Sequence, residues 1–115
     1  MTAPMIPPEQ RLLHDVFGDE LTDEALAVLA TFETVPLRRH LRLKIGRALA
    51  HLPYVEHGIL EMCYGLGDGH AYTAEEAALV FRLPRGRIAR LRTRALRKIR
   101  RHARNLRAFV LGLGR

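Results

Sequence analysis

The chain has no tryptophan, a single cysteine (Cys63) and only 6% aromatic residues in its 115 positions. One cysteine excludes an intrachain disulfide, and a chain without disulfides is expected to work in a reducing compartment. No run approaches the roughly 18 consecutive apolar residues of a membrane span, and no charged stretch followed by an apolar one opens the chain. These absences lead to the expectation of a soluble, untargeted, cytoplasmic protein with no membrane partner. The sharpest absence is of one sign of charge, because no Asp or Glu follows Glu76. Residues 1–81 hold six Lys/Arg against twelve acids, a net −6, whereas residues 82–115 hold thirteen Lys/Arg and no acid, a net +13.

The 48% apolar content is that of a folded chain rather than a disordered tail. The length allows one domain, or a small domain with an extension, and leaves little room for a deep catalytic pocket. Six histidines and Cys63 raise the question of a metal, but His51 and His57 straddle Pro53 and no Cys or His pair has zinc-motif spacing. Gly65-Leu66-Gly67-Asp68-Gly69 has the glycine content of a phosphate loop. No strand precedes it and no Gly-Lys-Ser/Thr follows, so it reads as a turn. No nucleophile, base and orienting group stand together. The expectation is therefore a protein that is not an enzyme and carries no metal or cofactor.

Periodicity predicts an all-α, multi-helix chain. Met1–Pro8, with three prolines, is expected to be a flexible lead-in. Leu12, Leu13, Val16 and Phe17 predict a helix from Glu9, and Leu26, Leu29, Ala30 and Phe32 predict a second over Thr22–Thr34. Leu37, Leu41, Ile45, Leu49 and Leu52 mark one side of a third, basic on its flanks. Pro53 separates it from a fourth, near Tyr54–Tyr64, whose apolar set is Val55, Ile59, Leu60, Met62 and Cys63. Thr73 with Glu76 forms a capping box for a short helix that turns Ala77, Ala78, Leu79 and Phe81 inward. Pro84 then opens a longer helix whose apolar arc is Ile88, Leu91, Ala95, Leu96 and Ile99. Leu106, Phe109, Val110 and Leu111 either extend that helix or form another.

A short capped helix, a turn near Leu83 and a longer basic helix have the punctuation of a helix-turn-helix, which places its second helix in the major groove of double-stranded DNA. Arg85 and Arg87 lie in the first turn, where such helices meet base edges, and Arg90, Arg94, Arg97, Lys98 and Arg101 follow on the cationic side. The competing reading is an ordinary solvated face. Such faces mix signs, whereas this one excludes acids to the end of the chain.

At these residues the chain resembles region 4 of the sigma-70 family, the bacterial promoter-recognition subunits of RNA polymerase. The resemblance covers about Leu52–Arg101 and joins Leu52-Pro53, Ile59-Leu60-Glu61-Met62, Tyr64-Gly65-Leu66, Thr73-Ala74-Glu75-Glu76-Ala77-Ala78, Arg85-Gly86-Arg87-Ile88 and Ala95-Leu96-Arg97-Lys98-Ile99-Arg100 without a gap. It implies an all-α domain ending in a helix-turn-helix that reads the minus-35 promoter element, and earlier helices that hold the flap tip of the polymerase β subunit. Carried over by position, Arg85 contacts a base, Arg87 and Lys98 serve backbone or fold, and Leu60, Met62 and Tyr64 belong to the flap-binding surface.

Four positions depart from the family. Gly86 stands for a base-reading Glu, Ala89 for an Arg, Arg90 for a Gln and Arg92 for a Glu. Gly86 has no side chain to accept from cytosine, and Ala89 offers only a methyl, so altered sequence preference is expected alongside stronger phosphate binding. Arg92, inside the apolar arc, is expected to pair with Glu75 or Glu76. Nothing in residues 1–50 resembles the helices with which sigma factors melt DNA, so the chain is expected to be a free-standing region 4 rather than a whole initiation factor. Residues 9–51 then read as a helical extension and 52–115 as the region 4-like domain. The setting implied is a bacterial or phage-infected cell. Two alternatives stay open: a region 4 mimic acting by protein interaction, as a split-sigma subunit, appropriator or inhibitor bound to the flap or another sigma fragment, and a helix-turn-helix repressor without polymerase contact.

Overall fold

The computed structural model describes residues 8–30 and 35–113. The expected lead-in up to residue 7, Phe32 with the expected helix end at Thr34, and Gly114 and Arg115 lie outside the described residues. Seven α-helices form, with no strand among the described residues: α1 (Pro8–Phe17), α2 (Asp23–Ala30), α3 (Val35–Ala50), α4 (Tyr54–Tyr64), α5 (Ala74–Phe81), α6 (Arg85–His102) and α7 (Arg104–Leu111). A 3-10 turn, Gly18–Glu20, follows α1 directly. The observed class is the all-α one that the periodicity predicts. No helix among the described residues is long and apolar enough to cross a membrane.

One core runs through the molecule. Leu12, Leu13 and Phe17 of α1, Leu41 and Ile45 of α3, Ile59 and Leu60 of α4, Ile88, Ala95 and Ile99 of α6, and Leu106 and Val110 of α7 form a single buried cluster. The recognition-type helix α6 lies centrally, packed by α1, α4 and α5, while α7 packs on α3. The helices before residue 52 thus share their core with those after it.

Pro8 opens α1 one residue before the expected start, consistent with proline's preference for a helix's first turn. Glu9 is buried beneath α3 and accepts from Arg42 Nε at 2.6 Å. Gly65 ends α4 with φ +71°, its N–H reaching the Glu61 and Met62 carbonyls, a left-handed cap that a side chain would strain. Ala103 separates α6 from α7, so the last apolar set is a helix of its own, folded back to bury Leu106 and Val110. One inward expectation fails: Leu79 is 80% exposed. Ala77 is the residue of α5 that enters the core, and two residues on the helix has turned about 200° away.

Candidate nucleic-acid interface

The turn between α5 and α6 fixes the site. Thr73 Oγ1 accepts from the Glu76 backbone at 3.2 Å, and the Glu76 carboxylate accepts from the Thr73 backbone at 3.1 Å, which completes the expected capping box. Arg82 closes α5 in the left-handed region, φ 54°, the only non-glycine residue with positive φ among the described residues. The Leu83 N–H then bonds the Ala78 carbonyl at 3.1 Å, and Pro84 leads into α6. Phe81 seats this helix pair on α4: a Cβ built on Gly58 falls 2.6 Å from its Cζ, so the ring occupies the space a side chain would take.

The buried stripe Ile88, Ala95 and Ile99 orients α6. At 100° per residue, Arg90, Arg97 and Arg101 point directly away from it, with Arg87 and Arg94 on one flank. Arg87, Arg90, Arg97 and Arg101 are exposed and have no ion-pair partner among the described residues. The other three expected DNA contacts face acids. Lys98 Nζ lies 2.7 Å from the buried Glu56 carboxylate of α4, and Arg94 Nε is 3.9 Å from the same group. Arg85, largely exposed, bridges to Glu75 of α5 at 2.9 Å.

Arg85, not Arg92, therefore takes the acid of α5, a correction with a simple geometric reason. Glu75 lies beside the first turn of α6, and Arg92 sits two turns farther on, beside the end of α4. There its guanidinium borders Cys63, whose thiol is pushed up by burial and partly pulled back by that charge. Glu56 was readable in principle, since an acid at i with Ile59, Leu60 and Cys63 at i+3, i+4 and i+7 lies within an apolar stripe. Asp19 and Glu20 gave no such signal. They hold Arg100 at 3.2 Å each, and Glu20 also holds Arg107 at 3.0 Å.

On the expected polymerase side, Leu60 is wholly buried and Tyr64 nearly so, and Met62 is half-buried. Leu60 and Tyr64 belong to this chain's own buried core. Tyr64 donates its hydroxyl to the Asp15 carboxylate, and burial, followed by that bond, raises its pKa well above the usual phenol value. The exposed large apolar side chains of α3 and α4 are instead Leu43 and Tyr54, at 56% and 85%. At α6's entry, Gly86 and Ala89 are exposed, and a Cβ on Gly86 would meet nothing within 4 Å.

No His, Cys, Asp and Glu side chains gather as a metal site among the described residues. The second helix thus presents exposed arginines on the side away from its buried stripe, with Gly86 and Ala89 exposed beside Arg85 and Arg87 at its start.

The family model described as "Sigma-70, region 4" matches residues 48–101. Among curated proteins, the RNA polymerase sigma factor SigA of Nostoc sp. is 38% identical over 65 residues, 56% of this chain and 17% of that protein. The RNA polymerase sigma-C factor of Nostoc sp. is 33% identical over 70 residues, 61% of this chain and 17% of its own length. SigA of Synechocystis sp. is 38% identical over 65 residues, 56% of this chain and 15% of that protein. The chain therefore spans about a sixth of these relatives, and no solved structure gives a significant match. Residues 48–101, with their capped short helix, tight turn and basic second helix, are the part of the chain that matches sigma-70 region 4.

Proposed function

We propose that this chain is a transcription factor of sigma region 4 type that binds promoter DNA through α6 and bacterial RNA polymerase, at its β flap, through the outer surface of α3 and α4. The observation that carries the reading is the set of exposed arginines, Arg87, Arg90, Arg97 and Arg101, that have no ion-pair partner among the described residues, on the second helix of a helix-turn-helix. Four phosphate contacts give a slope of about −4 in log affinity against log salt, or about a hundredfold loss between 50 and 200 mM. Gly86 and Ala89 supply no hydrogen bond to a base, so sequence choice is weak and specificity comes from the polymerase partner. The accessible apolar side chains for that partner are Tyr54, Leu43 and Met62.

A band-shift titration over a salt series tests the DNA half, and a slope near zero removes it. Pull-down with core polymerase and with the isolated β flap tests the other half. Tyr54→Glu is expected to abolish capture while leaving DNA binding intact. A chain that binds DNA but never captures polymerase would instead be a general helix-turn-helix repressor.

A further inference from the structure

We infer that the cleft between the end of α3 and the α6–α7 junction is a second phosphate site, one that holds the backbone of duplex DNA beyond the groove entered by α6. Two adjoining hollows of about 330 and 300 Å³ share Ala48, His51, His102 and Ala103 as walls. Lys98 lines one of them, Lys44, Arg47 and Arg104 line the other, and no Asp or Glu lines either. Lys98 is committed to Glu56, and Lys44 lies 5.3 Å from the centre of the Phe109 ring. Arg47 and Arg104 are exposed and have no ion-pair partner among the described residues.

Cations gathered around one cleft repel one another, and an anionic ligand relieves that repulsion. Phosphate suits the guanidinium fork particularly well. The site straddles the edge of the family's matched segment: Ala48, His51 and Lys98 lie within residues 48–101, whereas Lys44, Arg47, His102 and Arg104 lie outside it. Continuity along the chain favours nucleic acid over an acidic protein: Arg97 and Arg101 of the outer face, without an ion-pair partner among the described residues, are followed by Arg104, which lines the cleft. From Arg85 to that rim α6 extends roughly 25 Å, so a duplex must reach past the groove-binding site to fill the cleft.

The inference rests on α6 binding DNA, and duplex length separates the two claims. A duplex of about 10 bp offers one helical turn and fills only the groove site, whereas about 20 bp offers both. For the unaltered chain, the longer duplex is expected to steepen the salt slope by about 2 to 3, at about 0.9 per phosphate. The combined variant Lys44→Gln, Arg47→Gln, Arg104→Gln should lose that increment and bind the short duplex as before. Equal slopes on both duplexes, or equal loss on both, overturn the cleft site while leaving the α6 reading in place. Failure to bind either duplex removes both. Two further arms identify the ligand's source: NMR titration with inorganic phosphate, and anisotropy with labelled polyglutamate. Either ligand binding at the cleft while the long-duplex increment is absent would assign it to a free anion or an acidic protein, and overturn the inference.

Discussion

Lys98 distinguishes a DNA contact from a fold contact more cleanly than any other residue. Its ammonium lies 2.7 Å from Glu56, whose side chain is 4% exposed, while Lys98 itself is one-third exposed at 33%. Removing one partner of a buried pair costs about 3–5 kcal/mol, because the remaining charge stays buried. Partial exposure of Lys98 and the second cation, Arg94 at 3.9 Å, reduce that cost to roughly 2–3 kcal/mol for Lys98→Met. For a domain of this size the loss corresponds to roughly 10 °C in melting temperature. Changing both partners, as Glu56→Leu with Lys98→Met, should recover most of it, since a well-packed apolar pair replaces the ions at little net cost. Arg97→Gln is expected to do the reverse, flattening the DNA salt slope by about 0.9 and changing stability by less than about 0.5 kcal/mol. Thermal melts followed by circular dichroism, with anisotropy titrations from 50 to 200 mM salt, read both effects. A Lys98→Met protein that melts normally but loses about one phosphate's worth of slope would refute the assignment of Lys98 to the fold.

Other expectations follow from the same geometry. Thr73→Ala removes the acceptor that caps α5 and should cost about 1 kcal/mol, read by denaturant titration; an unchanged midpoint would mean that the cap does not hold the helix. Gly58→Ala places a methyl against Phe81, and overpacking of about 1–3 kcal/mol outweighs a helix-propensity gain of about 1 kcal/mol, for a net loss near 1 kcal/mol. Phe81→Leu in the same protein should relieve that loss, and a stabilised single variant would contradict the close contact. Asp68 is held below the usual carboxylate range chiefly by the Tyr72 hydroxyl and also by the His70 backbone N–H. Its contribution to loop order is present above the unfolded carboxylate pKa of about 3.9 and is lost as pH falls through the depressed folded value. Tyr72→Phe should raise the Asp68 midpoint in a carbon-13 NMR titration, and an unmoved midpoint would exclude the hydroxyl as its cause.

Much of the fold is legible because helix formation is read from near neighbours. The three- and four-residue recurrences that place α1, α3, α4 and α6, and the Thr73–Glu76 pair that starts α5, involve contacts within a turn or two. The candidate interface is less legible. The sequence offers seven candidate cations on α6, and periodicity places them outside the apolar arc without saying which lack acid partners. Glu56 and Lys98 are 42 residues apart, and Asp19 and Arg100 81 residues apart. Only packing of α4 and of the 3-10 turn against α6 brings those acids within reach. Leu60 and Tyr64 show the same limit, since an apolar stripe marks what leaves water without saying whether this chain or another covers it.

The sequence by itself therefore determined the helical class, the capped helix-turn-helix, the acid-free polycation and the likeness to sigma region 4, all carried by local spacing and composition. The tertiary structure decided which arginines of α6 have acid partners among the described residues, and that the last apolar set breaks from α6 at Ala103 to fold onto α3. No proline or glycine marks that break. Burial of Leu106 and Val110 against α3 sets it, and a chain pattern with the same period on both sides cannot record where its helix bends.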